Sequence, residues 1–99
     1  MTFSITARWE AVFKLLVQLE DRGATIISVD LSPSGDYVVV KHDDLRAWLG
    51  GDVTGLVGRA LTAGTHWTVP VEGEPGGPVV RLVAIQRHPH VVDPETLYA

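Results

Sequence analysis

The segment ATIISVDLSPSGDYVVVKH, residues 24–42, constrains the fold of this chain more than any other. Two runs rich in β-branched residues flank SPSG, in which Pro33 fixes one φ and Gly35 permits a positive one. β-Branched side chains lose χ1 freedom in a helix and fit a pleated surface instead. The segment therefore predicts a β-hairpin. A lone hairpin is marginal in water, so the rest of the chain must add strands and a layer that covers them.

That layer begins upstream. Ser4 or Thr6 can cap a helix in which Ile5, Trp9, Val12, Phe13, Leu16 and Leu19 recur at helical spacing, and Gly23 stops it. Trp9 reads as a core residue on this stripe. Leu15 and Val17 widen the apolar arc, so the helix is expected to meet more than one surface.

Downstream, HDDLRAWLGG reads as a short helix capped by Asp43 or Asp44 and ended by Gly50 and Gly51. Asp52 then caps a further helical segment whose stripe is Val53, Leu56, Val57, Ala60 and Leu61, closed by Gly64. THWTVPV and PVVRLVAIQRH are strands, joined by the turn-rich EGEPGG. The predicted order is α-β-β-α-α-β-β. The fold class that follows is α+β: a two-layer sandwich with a four-stranded, mainly antiparallel sheet and helices on one face. Residues 1–87 form one domain, and 88–99, holding Pro89 and Pro94, an extended C-terminal tail.

The last strand carries the functional signal. Val80, Leu82 and Ala84 face the helices, while Val79, Val83 and Ile85 point the other way. Val38 and Val40 likewise oppose Tyr37 and Val39. A sheet wetted on one side alternates apolar with polar residues, and this one does not. Its second face calls for a cover, from the tail or from another chain. The expected function is a small non-enzymatic protein–protein interaction module (an accessory regulator, inhibitor or immunity-type protein) acting through that face. A two-fold homodimer is the commonest way to hide such a surface. Candidate partner-binding residues are Tyr37, Val39, Trp48, Val83 and Ile85, with Leu97 and Tyr98 from the tail. Trp67 shares a strand face with Val69 and Val71 and reads as core. Trp48, beside Leu49, is the most accessible of the three tryptophans.

Two other chemistries compete. In RHPHVVDPETLYA, His88 and His90 are two apart and point the same way in an extended segment, with Asp93 and Glu95 downstream and His66 as a third nitrogen. That arrangement is the basis for a metal-dependent enzyme. Spacing alone supplies neither the ligand count nor the supporting contacts of a metal site, so these read as solvated histidines and no metal or cofactor is assigned. GLVG, residues 55–58, is the basis for a KH-like nucleic-acid-binding domain, in which a GxxG loop between two helices grips the sugar-phosphate backbone. Here Leu56 and Val57 replace basic or polar residues. The net charge is −4, and no two of the eight Lys and Arg residues are adjacent. Phosphate affinity needs clustered cations, so nucleic acid is not the expected partner.

The chain has no cysteine, which excludes disulfide and thiolate chemistry. No secretory leader pattern opens it, and AVFKLLVQL is too short to span a bilayer, so a cytoplasmic protein without a membrane partner is expected. Arg exceeds Lys and Asn is absent, the coding bias of a high-GC bacterial genome. The acids at 43–44 and 72–74 read as a cap and a solvated loop, or as an acidic face for a basic partner.

Overall fold

Ser4 opens the first helix as its side chain predicts: its Oγ accepts the Ala7 N–H at 3.1 Å. Helix α1 runs over Ile5–Asp21 in a computed structural model that describes residues 3–87. It ends in a Schellman motif. Gly23, at φ +77°, donates its N–H to Glu20 O at 2.9 Å, and Ala24 donates to Leu19 O at 3.0 Å. The hairpin follows as β1 (Ile26–Ser32) and β2 (Gly35–Val40), antiparallel, with Pro33 and Ser34 in the turn.

Helix α2 (His42–Leu49) is preceded by Lys41 and ends at Gly50, which takes the left-handed conformation at φ +58°. Neither Asp43 nor Asp44 caps it. Both lie inside its first turn, where carboxylates complement the helix dipole. Asp44 Oδ2 instead accepts the Thr25 N–H at 2.8 Å, tying α2 to the entry of β1.

The third predicted helix is instead a turn and a strand. Residues 53–56 form a turn in which Gly55 takes φ +77°, and β3 (Val57–Ala60) pairs antiparallel with β4 (Gly64–Glu72). Gly55 and Gly58 inside the segment cost a helix about 1 kcal/mol each relative to Ala, while the β4 edge offers a hydrogen-bond ladder. The apolar period of 3.6 at Val53, Leu56, Val57 and Ala60 is therefore coincidental. Asp52 caps this turn and not a helix: Thr54 N–H donates to its Oδ1 at 3.0 Å. Hydrogen bonds from the Thr54 side chain and then its backbone hold the Asp52 carboxyl below the usual carboxylate range.

Strand β5 (Val79–Arg87) pairs antiparallel with β4 and parallel with β2, giving a five-stranded mixed sheet in the order β1-β2-β5-β4-β3. The element order is thus α-β-β-α-β-β-β, with one more strand and one fewer helix than predicted. The most apolar strand takes the centre because it is the one that gains from burial on both faces. With β3 holding the far edge of β4, the free edge of β5 meets β2 in parallel.

The core lies between the sheet and the helices. Val12, Leu15 and Leu19 of α1 and Leu45 of α2 pack against Val38, Val40, Val69, Val80, Leu82 and Ala84. Trp9 is not among them and is 49% exposed. The helix is turned by Arg8, which bonds the buried Asp36, so the sheet-facing arc is centred on Arg8, Val12, Leu15 and Leu19. At 100° per residue, Trp9 and Phe13 fall on the outer flank. Among the described residues, no helix is long and apolar enough to cross a membrane.

Candidate docking face

The two strand periodicities read from sequence are present. Val38, Val40, Val80, Leu82 and Ala84 lie beneath the helices, and the intervening residues of β2 and β5 form the other face. The ladder registers join these residues into rows across the sheet. Ser28 pairs with Val39, Val39 with Val83, Val83 with Thr68, and Thr68 with Val57, one residue from each of the five strands. A second row runs Asp30, Tyr37, Arg81, Pro70. On the other side of the apolar row lie Ile85, His66 and Arg59.

Val83 occupies the middle of this face. It is 3% exposed yet does not belong to the core beneath the helices, so its burial comes from neighbours on its own side of the sheet. In the same file along β5, Ile85 is 54% exposed and Val79 44%. Val57, at the end of the row, is also exposed. An apolar centre bordered by a carboxylate, a phenol, an imidazole and guanidinium groups has the make-up of a docking surface, with a desolvated middle and a polar rim. What such a face offers chemically is burial and rim hydrogen bonding.

The structure thus brings Tyr37, Val39, Val83 and Ile85 onto one face. It does not bring Trp48 there. Trp48 sits in α2 on the helix side of the sheet, packed against the core, with the Arg22 guanidinium 4.4 Å from its ring centroid. Trp67 is partly buried on the helix side as expected, and its Nε1–H donates to Gln86 Oε1 at 3.0 Å. His66 lies on the docking face, across from Ile85. His88, His90, Asp93, Glu95, Leu97 and Tyr98 lie outside the described residues. Among the described residues, no three His, Asp or Glu side chains gather into a group able to hold a metal ion. The GLVG segment does not lie between two helices: Gly55 is in a turn that follows α2, and Val57 and Gly58 begin β3.

Sequence reasoning missed a second apolar surface. Ile5, Trp9, Phe13 and Val17 recur every four residues along α1 and are all substantially exposed. The signal that locates them is Asp36. A carboxylate in an otherwise apolar alternating strand must find a cation if buried, and Arg8 lies one turn from the helix start. Placing Arg8 toward the sheet turns Trp9 and Phe13 outward.

Among the described residues, the fold is α+β, a five-stranded mixed sheet with both helices on one side. Searches of protein-family models, curated proteins and solved structures find no match to it.

Proposed function

We propose that this chain is a protein–protein interaction module that docks a partner on the face of its sheet opposite α1 and α2, and that a second copy of the chain is that partner. The observation that carries the reading is the row through Val83. Val39, Val83 and Val57 lie in register across the sheet, with Val79 and Ile85 in file, all pointing away from both helices. The area still open to a partner is that of Val57, Val79 and Ile85, and burying it contributes roughly 25 cal/mol per Å².

Charge supports a second copy as occupant. Asp30 and Arg81 lie in one row, two strands apart, on either side of Tyr37. A two-fold axis along β2, in the plane of the interface, sets Asp30 of each copy over Arg81 of the other. Self-complementarity of that kind is what a closed two-fold interface requires. Light scattering over a concentration series tests the reading: the expected mass is twice that of the chain, and a monomer at every concentration contradicts it.

A further inference from the structure

We propose a second binding site, on the helix side of the sheet, for an extended basic segment of a partner protein. Helix α1 packs on β1, β2 and β5, and β3 pairs only with Thr65–Thr68 of β4, which leaves the 69–72 end of β4 open along its edge. Between α1, Trp48 and the loop joining β4 to β5 lies a cleft of about 450 Å³. Its floor is Leu15, Val71 and Val80, and α1 contributes only Ala7 and Ala11 at the positions where longer side chains would fill it. Beyond Trp48 lies a second depression of about 270 Å³, bordered by Asp52, Thr54, Val69 and Pro70. Both depressions are lined by Trp48, Val71 and Glu72, so they form one groove along β4.

The polar groups along this groove are mostly carboxylates. Glu10 and Glu74 stand at one end and Asp52 at the other, and Glu72, which pairs with Val79, borders the groove where it passes the free edge of β4. The single Lys or Arg lining it, Lys14, is engaged with Glu74 at 3.2 Å. Glu72 is held in place by the Gly76 N–H, which donates to its Oε1 at 2.7 Å. A carboxylate accepting one such bond keeps further acceptor capacity. The Lys14–Glu74 pair is an internal example of the contact a bound cation would make. An apolar floor under spaced carboxylates fits a chain in which aliphatic side chains alternate with Lys or Arg. The length of the groove, passing both sides of Trp48, favours an extended segment over a compact ligand.

The test is an NMR titration of the ¹⁵N-labelled full chain with a synthetic peptide alternating lysine and valine, and with its glutamate-for-lysine counterpart. The basic peptide is expected to shift the amides of Ala7, Ala11, Val71 and Gly73 and the Trp48 indole, and to leave Tyr37 and Val39 unmoved. Glu72→Gln should weaken binding roughly two- to fivefold, and Lys14→Gln, which frees Glu74, should strengthen it by a similar factor. Ala11→Phe should block the cleft sterically; should that variant fold poorly, the two charge variants decide. Ile85→Glu, on the opposite side of the sheet, should bind the peptide like the parent, which separates this site from the self-docking face. Equal binding of the acidic peptide, shifts centred on Tyr37 and Val39, or no shifts at the highest soluble peptide concentration would overturn the proposal.

Discussion

Arg8 of α1 and Asp36 of β2 join helix to sheet through a forked pair. Nε lies 3.0 Å from Oδ2, Nη2 bonds Oδ1, and Nη2 also donates to Ser32 O at 2.7 Å. Asp36 is 5% exposed, so the pair is the condition on which a charge sits inside the fold. The bond to Asp36 raises the Arg8 guanidinium further above its ordinary value, and it stays charged throughout the folded range. The pair also sets the rotation of α1, and with it which side chains are core.

Removing one partner of this pair should therefore cost more than removing an apolar surface residue. Asp36→Ala strands Arg8 against the sheet and is expected to lower Tm by roughly 5–15 °C. Asp36→Asn, which keeps an acceptor for Nε, should lower it less. Thermal unfolding followed by circular dichroism checks both. No loss in either variant would remove the pair from its orienting role.

The outward stripe of α1 should behave as surface. Phe13→Ser is expected to change stability by less than about 0.5 kcal/mol, whereas Leu15→Ala, 3% exposed before substitution, should cost about 2–5 kcal/mol. Urea denaturation of the two variants distinguishes them. Comparable losses would mean that Phe13 is a core residue.

Gly58 makes a different demand. It pairs with Trp67 across the β3–β4 ladder, and a Cβ built on it would stand 2.5 Å from Cζ3 of that indole. Glycine here lets the aromatic ring lie over the neighbouring strand. Gly58→Val should push the ring away, weaken its bond to Gln86, and destabilise by about 1–3 kcal/mol. A shift in indole Nε1–H resonance and a lowered urea midpoint are the readouts, and an unchanged Trp67 resonance would count against the packing described.

Asp52 provides a pH-dependent observable. Its carboxyl is held below the usual range by hydrogen bonds from Thr54, so the folded turn favours the anion. The sign follows: the contribution is fully present above the ordinary carboxylate pKa and is lost as pH falls through the lowered value. Thr54→Ala should move the Asp52 side-chain NMR titration midpoint upward. An unmoved midpoint would deny the Thr54 hydroxyl its role.

Much of the fold is legible in the residues. Ser4 and Gly23 mark the ends of α1, SPSG and EGEPGG mark two hairpins, and the parity of Val79 to Ile85 assigns the two faces of β5. What was not legible depends on partners distant in sequence. The 53–61 segment carries a helical period by chance, and only pairing with β4 makes it a strand. The parallel seam between β2 and β5 joins two separate hairpins, and no local pattern encodes it. Trp9 looked like core because the apolar arc of α1 is wider than one surface, and choosing its buried half requires the buried Asp36. Of the candidate site, Tyr37, Val39, Val83 and Ile85 share a face because strand parity is local, while Trp48 was grouped with them on its expected accessibility, which does not report the side of the sheet on which it lies.

The most direct test of the account is sedimentation equilibrium of Ile85→Glu beside the parent chain and Phe13→Glu. A carboxylate at Ile85 stands in the apolar file of the docking face, whereas one at Phe13 stands on the opposite layer. The account predicts a dimeric parent, a monomeric but folded Ile85→Glu, and a dimeric Phe13→Glu. A parent that stays monomeric, or a dimer that Phe13→Glu dissolves and Ile85→Glu leaves intact, would contradict it.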